Sequence, residues 1–164
     1  MVTDQNASTG GGSFRHVPAC TSASEFGCVI AYEAWNGTPD PTWEEPGSPG
    51  RSYLCVNPGA LGGGSGAITP IFPGLNSEGS VPPGSPYLRY TWVEFTGLYS
   101  ARCVTKGNRS WLLVTRIHHR GDTRPTVQAI YSYPHELHPA DVNIDLGNLI
   151  ALVQSETAAW KARR

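Results

Sequence analysis

The chain has 164 residues, 12 basic and 13 acidic side chains and a formal charge of -1, which fits one domain with little room for a second. Neither sign forms a run, which argues against nucleic acid as a partner. No stretch approaches the roughly 18 apolar residues of a membrane span, and the polar, glycine-rich start over residues 1–12 holds no apolar signal-peptide core.

Charged residues make up only 15% of the chain, while 19 Gly and 14 Pro break it up, so much of it is expected to be loop. Residues 1–15 are rich in Gly, Ser, Thr and Asn and too poor in apolar side chains to offset their ordering entropy; the sequence predicts a disordered tail there. Cys28-Val-Ile-Ala-Tyr32 reads as a short buried strand, and Tyr53-Leu-Cys-Val56 as another, ended by Asn57-Pro58. Around them, about 35–88 reads as a Gly/Pro-rich insertion. Its stretch from Gly59 to Gly84 is almost entirely Gly, Pro, Ser and small apolar residues, the composition of a segment wound over the surface of something larger.

From Arg89 onward the pattern tightens. Tyr90-Thr-Trp-Val-Glu-Phe95 and Trp111-Leu-Leu-Val-Thr-Arg-Ile117 are rich in aromatic and β-branched residues, as strands are, and Lys106-Gly107-Asn108 forms the turn before the second. The clearest helix is C-terminal. Val142, Leu146, Leu149, Ile150, Val153, Thr157 and Trp160 recur on one face at the 3.6-residue period, with Asp141 or Asn143 as its cap.

Four cysteines, Cys20, Cys28, Cys55 and Cys103, allow three pairings, and none has the Cys-x-x-Cys spacing of metal knuckles. The small polar loop between Cys20 and Cys28 is a common disulfide setting in exported proteins. It favours Cys20 with Cys28 and Cys55 with Cys103, against the alternative of four unpaired thiols.

The segment Pro134-His-Glu-Leu-His-Pro-Ala-Asp141 brings His135, His138 and Asp141 together just before the helix. Its spacing does not match the His-Glu-x-x-His helix of zinc proteases, and Pro139 opposes a helix there. A metal reading would have to gather His118, His119, His135 and His138 from loops. A better reading is a loop that presents one imidazole, since Ser-His-Asp hydrolases often deliver a late histidine in this way. A nucleophile elbow, however, needs glycine two residues before and after the serine. Ser65, in Gly62-Gly-Gly-Ser-Gly-Ala67, fails at Ala67, and Ser13, Ser48, Ser77, Ser80 and Ser85 fail too. The Gly62-Gly63-Gly64 run lacks the preceding His of an oxyanion-hole loop and reads as a flexible turn.

Taken together, four ordered motifs resemble a known family. They are Pro18 to Tyr32, Leu54-Cys-Val-Asn-Pro58 with Ala60-Leu-Gly-Gly-Gly64, Gly97-Leu-Tyr-Ser-Ala-Arg-Cys103, and His138-Pro-Ala-Asp-Val-Asn143 with Gly147-Asn148-Leu149. The set resembles the C-terminal half of a bacterial family of lipase-like α/β-hydrolases classed as a domain of unknown function. The resemblance runs from about Pro18 to Trp160. It implies an α/β fold, the C-terminal part of an α/β-hydrolase, over residues 16–164. It further implies that His138 is the catalytic base and Asp122, in Gly121-Asp-Thr-Arg-Pro125, the triad acid, with no cofactor. The family's Gly-x-Ser-x-Gly elbow would lie in an N-terminal half that this chain does not contain. The full-length parent would then act on a small-molecule ester or lipid substrate outside the cytoplasm. This chain alone would be inactive, with unpaired strand edges. The competing reading is a non-catalytic, disulfide-stapled binding or structural module, with Trp35, Trp43 and Trp92 among its contact residues.

Overall fold

The computed structural model describes residues 12–39, 53–73, 91–124, 126–127, 137 and 140–164. Within them the strands are β1 (Ala34–Trp35), β2 (Ser65–Ile68), β3 (Ile71–Pro73), β4 (Trp92–Glu94), β5 (Tyr99–Lys106) and β6 (Arg109–Arg116). Two helices follow, α1 (Asp141–Ile144) and α2 (Leu146–Ala162).

The longest pairing is the hairpin of β5 and β6, in register from Tyr99 opposite Arg116 to Lys106 opposite Arg109. Its aromatic and β-branched residues, Tyr99, Val104, Thr105, Trp111, Val114 and Thr115, suit a half-buried ladder. Gly107 supplies the left-handed backbone, φ 65°, that a two-residue turn requires. β2 adds antiparallel to β5, and β1 adds parallel to β6, giving the sheet order β1-β6-β5-β2; β3 and β4 form a separate antiparallel pair.

This arrangement corrects the α/β expectation. An α/β-hydrolase sheet is built from parallel strands joined through crossover helices. Among the strands of the described residues, the two-residue β1 is the one added in parallel, and both helices follow the last strand. The C-terminal part of an α/β-hydrolase fold is therefore not what the described residues form. They form a small mixed sheet with helices at one end of the sequence. The reason is local: the tight Gly107 turn makes β5 and β6 a hairpin, where the parallel reading needed a helix between strands.

Other sequence expectations are corrected too. Cys28–Tyr32 forms no strand; Val29 makes an isolated bridge with Ala19, and extended pairing begins at Ala34. The expected insertion over 35–88 contains β2 and β3, while its parts 40–52 and 74–88 lie outside the described residues, as do residues 1–11 of the expected tail. The terminal helix breaks at Asp145. Neither Asp141 nor Asn143 caps it, because both side chains bond elsewhere.

One core lies against the sheet, made by Ala34, Ile68, Leu98, Tyr99, Leu112, Val114, Val127, Leu137 and Ile144 with the edge-to-face pair Phe72 and Phe95. Tyr99 is buried whole, and its hydroxyl accepts the Val127 N–H at 2.8 Å, so its one polar atom is satisfied. A smaller cluster, Ala19, Cys20 and Val56, packs beside it. Both expected disulfides are present, Cys20–Cys28 and Cys55–Cys103. By loop-closure entropy they stabilise by about 2.5 and about 4 kcal/mol, the larger for the pair that is 48 residues apart.

The segment over 137–148 closes both outer edges of the main sheet. At β1, the Ala34 N–H donates to Asp141 Oδ1 at 2.8 Å, and the Ala34 carbonyl accepts the Leu137 N–H at 3.1 Å. At β2, the Asn148 amide donates to the Ala67 carbonyl and accepts the Thr69 N–H at 2.8 Å, while the Gly147 N–H donates to the Thr69 carbonyl at 3.0 Å. The expected bare edges are thus covered at these positions. Pairing of this kind blocks strand addition by other chains.

The turn before β2 depends on a buried amide. Asn57 Nδ2 donates to the carbonyls of Ala101 and Gly64, at 2.7 and 3.1 Å, and its Oδ1 accepts the Gly59 N–H at 3.0 Å. Replacing Asn57 with Ala leaves three backbone groups short of a partner, so a loss of about 2–4 kcal/mol is expected. Chemical denaturation of Asn57→Ala measures it. The conservative Asn57→Asp, which keeps Oδ1 and removes both amide donors, should recover little of the loss.

Candidate functional site

Of the proposed catalytic pair, His138 lies outside the described residues, as does His135. The described residues on either side of the dipeptide 138–139 are held by the core and by β1. Leu137 and Ala140 are buried in the core, the Ala140 N–H donates to the Leu137 carbonyl at 2.8 Å, and Leu137 is bonded to β1 as above. Next in the chain, Asp141 accepts from Ala34, and the Tyr32 hydroxyl donates to the Asp141 carbonyl at 2.9 Å. The strand β1 and the residue two positions before it therefore hold both sides of the dipeptide 138–139.

Asp122 occupies a surface turn, with its N–H donating to the His119 carbonyl at 3.1 Å. Its carboxylate is gripped by Arg124: the Arg124 N–H and Nε donate to Oδ1, and Nε and Nη2 donate to Oδ2, the last at 2.7 Å. A further donor, Nη1, reaches the Thr96 carbonyl at 2.6 Å. The guanidinium holds the Asp122 carboxyl well below the usual carboxylate range. Both oxygens are engaged, so this geometry makes Asp122 a fastener of the turn to the β4–β5 connection.

The other candidates are placed as follows. His118 is exposed, and His119 Nε2 lies 3.1 Å from the Gly97 carbonyl. Among the described residues, one grouping offers three metal-donor side chains, Cys20, Cys28 and Glu156, and its two sulfurs are joined to each other. In the glycine run, Gly63 and Gly64 have φ of 96° and 84°, and the Gly63 N–H donates to the Ala60 carbonyl. That N–H is spent on a turn, as the flexible-turn reading expects. Of the three tryptophans proposed for contact, Trp35 is buried, Trp92 is exposed, and Trp43 lies outside the described residues.

Sequence reasoning missed Asp145. It sits between α1 and α2, is fully buried, and neither carboxylate oxygen has a hydrogen-bond partner among the described residues. Burial, and then the nearby charge of Asp141, push its acid up to about 7. The same surroundings raise the Tyr32 phenol, through burial first and then Asp145 and Asp141. Tyr32, Asp141 and Asp145 thus lie close enough together for their charges to act on one another. The available sequence signal was Asp145 in step with Leu149, Leu152 and Glu156, a second helical face behind the apolar stripe.

The chain matches no family model, no curated protein and no solved structure. No described helix is long and apolar enough to cross a membrane.

The buried acid sets a pH dependence. Between about pH 4 and 7 the unfolded chain releases the Asp145 proton while the folded chain keeps it, so this group's contribution to stability falls across that window and is flat above it. At about 1.4 kcal/mol per unit, the ceiling of that loss is about 4 kcal/mol. Asp145→Asn should match the wild type near pH 4 and exceed it in stability at pH 8. Parallel denaturation curves at both pH values measure the difference.

Proposed function

We propose that this chain supplies the general base, His138, of a serine-type ester hydrolase whose nucleophile lies on another part of the protein. The single supporting observation is the clamp on both sides of His138: Leu137 and Asp141 are fastened to Ala34, and Leu137 and Ala140 are sunk in the core. A general base must be held within hydrogen-bond reach of the proton it takes, and rigid flanks supply that condition. The proposal concerns the chemistry of a Ser-His-acid set, which recurs on unrelated folds, and does not need an α/β-hydrolase sheet.

In this reading a serine hydroxyl attacks the carbonyl carbon of a small-molecule or lipid ester. His138 takes the hydroxyl proton as the bond to carbon forms, then returns it to the departing alkoxide; water repeats the sequence on the acyl-enzyme. No cofactor enters. For Asp122 to orient the imidazole, Arg124 would have to release one carboxylate oxygen. No serine of this chain stands in a Gly-x-Ser-x-Gly elbow, so the nucleophile would come from a complementary N-terminal half. The two disulfides fit an oxidising, extracytoplasmic setting.

A second reading, a non-catalytic disulfide-stapled binding module, is favoured by the apolar side chains that α2 leaves exposed. Hydrolysis of 4-nitrophenyl butyrate separates the two. The chain alone is expected to show no turnover above buffer. Fused to an in-frame upstream segment carrying a Gly-x-Ser-x-Gly elbow, it should turn over the ester and lose at least about a hundredfold in kcat on His138→Ala. A fused protein that folds and stays inactive would favour the binding module, and turnover by the chain alone would remove the need for a second part.

A further inference from the structure

The two cations that end the β5–β6 hairpin are set against each other. Lys106 stands directly opposite Arg109 in the register, and like charges in a cross-strand pair repel. By the alternation of side chains along a strand, Lys106 and Arg109 share a face with Trp111. It is the face turned away from the core, since Leu112, the next residue in β6, belongs to the core. Trp111 is nevertheless only 5% exposed, and its indole N–H has no hydrogen-bond partner among the described residues. The chain leaving β1 returns over this face: exposed Thr38 and buried Pro39 line a cavity of about 270 Å³ together with Lys106, Asn108, Arg109 and Trp111. Among the described residues that line it there is no acid. The Asn108 carbonyl accepts the Tyr53 N–H at 3.2 Å, while its side chain is exposed. Among the described residues, the Lys106 ammonium has no ion-pair partner, and the Thr38 hydroxyl and Asn108 amide have no hydrogen-bond partner.

We propose that this cavity binds a sugar acid, a pyranose ring that carries a carboxylate. The carboxylate is held between the Lys106 ammonium and the Arg109 guanidinium, so that their mutual repulsion becomes attraction for an anion. The apolar face of the ring packs on Pro39 and Trp111. The Asn108 amide and the Thr38 hydroxyl, each able to donate and to accept, meet the ring hydroxyls. Each kind of lining group excludes a simpler ligand. A bare inorganic anion would leave the apolar wall unused, and an aromatic carboxylate would leave the amide and the hydroxyl unused. A neutral sugar would leave the two cations still opposed. Volume sets the size, because about 270 Å³ falls just below the roughly 300–1,000 Å³ of sites for drug-sized ligands and limits the ligand to a single ring. The site is independent of the ester-hydrolase reading and is compatible with a binding module as well.

Amide and indole NMR shifts of the intact, oxidised chain, titrated with the methyl glycoside of glucuronate, test it. The Trp111 indole N–H, the Asn108 side-chain amide and the backbone N–H groups of Lys106, Gly107, Asn108 and Arg109 should shift together and saturate, with a dissociation constant of about 1 mM. Methyl glucoside, which lacks the charge, and acetate, which lacks the ring, should bind at least about tenfold more weakly. Lys106→Gln, at an exposed site, should lower the affinity at least about fivefold while the rest of the spectrum stays in place, and Lys106→Arg should restore most of it. An absence of saturable shifts at these groups up to about 20 mM glycoside overturns the proposal. So does acetate binding as tightly as the glucuronate glycoside, which marks a site for a bare anion, or methyl glucoside binding as tightly, which marks a site blind to charge. Unchanged affinity in a folded Lys106→Gln overturns it as well.

Discussion

The fold rests on the segment over 137–148 fastening to two separate strands. At β1 it uses the Leu137 N–H and the Asp141 carboxylate; at β2 it uses the Gly147 N–H and both ends of the Asn148 amide. Each such bond contributes about 1 kcal/mol net, but leaving a buried edge group unmade costs more. The four-stranded sheet is too small to bury a large core by itself. Leu137, Ala140 and Ile144 from the same segment supply much of what covers it.

The segment that closes the sheet is also the one that carries His138. Leu137 and Asp141 cannot move without releasing Ala34, and Leu137 and Ala140 cannot move without emptying core positions, so the proposed site and the stability of the domain would be coupled through the same few bonds. Asp145 adds a cost at this junction, since a buried acid without a partner is tolerated as the neutral form and opposed when charged. Charge near Asp141 therefore acts on the clamp itself, through a carboxylate whose Oδ1 is already bonded to Ala34.

Much of the local structure was legible in the residues. Aromatic and β-branched runs located β4 and β6, Gly107 located the hairpin turn, and the Cys20 to Cys28 spacing led to both disulfides. The architecture was not legible, because it depends on which strands pair. The two-residue β1 carries no periodic signal, and β2 and β3 lie within a Gly/Pro-rich stretch that reads as loop. Gly66 shows why composition misled. A β-carbon there would collide with the Gly59 carbonyl, so the glycine permits close packing of two backbones and is not a mark of irregular chain. The terminal helix was legible by its period, but not the side on which it packs, since that side carries Asp145, Asn148 and Glu156 among its leucines.

For the candidate site, the sequence pointed to His138 and Asp122 but could not foresee how the Asp122 and Asp141 carboxylates would be bonded. Arg124 stands two residues after Asp122 and takes its carboxylate locally, whereas Asp141 reaches 107 positions back along the chain to Ala34. Local pairing was there to be read; the long-range bond required the fold.

Native-state hydrogen exchange at Ala34, Leu137 and Thr69 tests the closing role of the segment most directly. If 137–148 holds both edges, these three amides exchange only through global unfolding, with the same protection free energy as Leu112 in the middle of the sheet. Exchange of any of them at rates typical of exposed amides, with Leu112 still protected, would contradict the account.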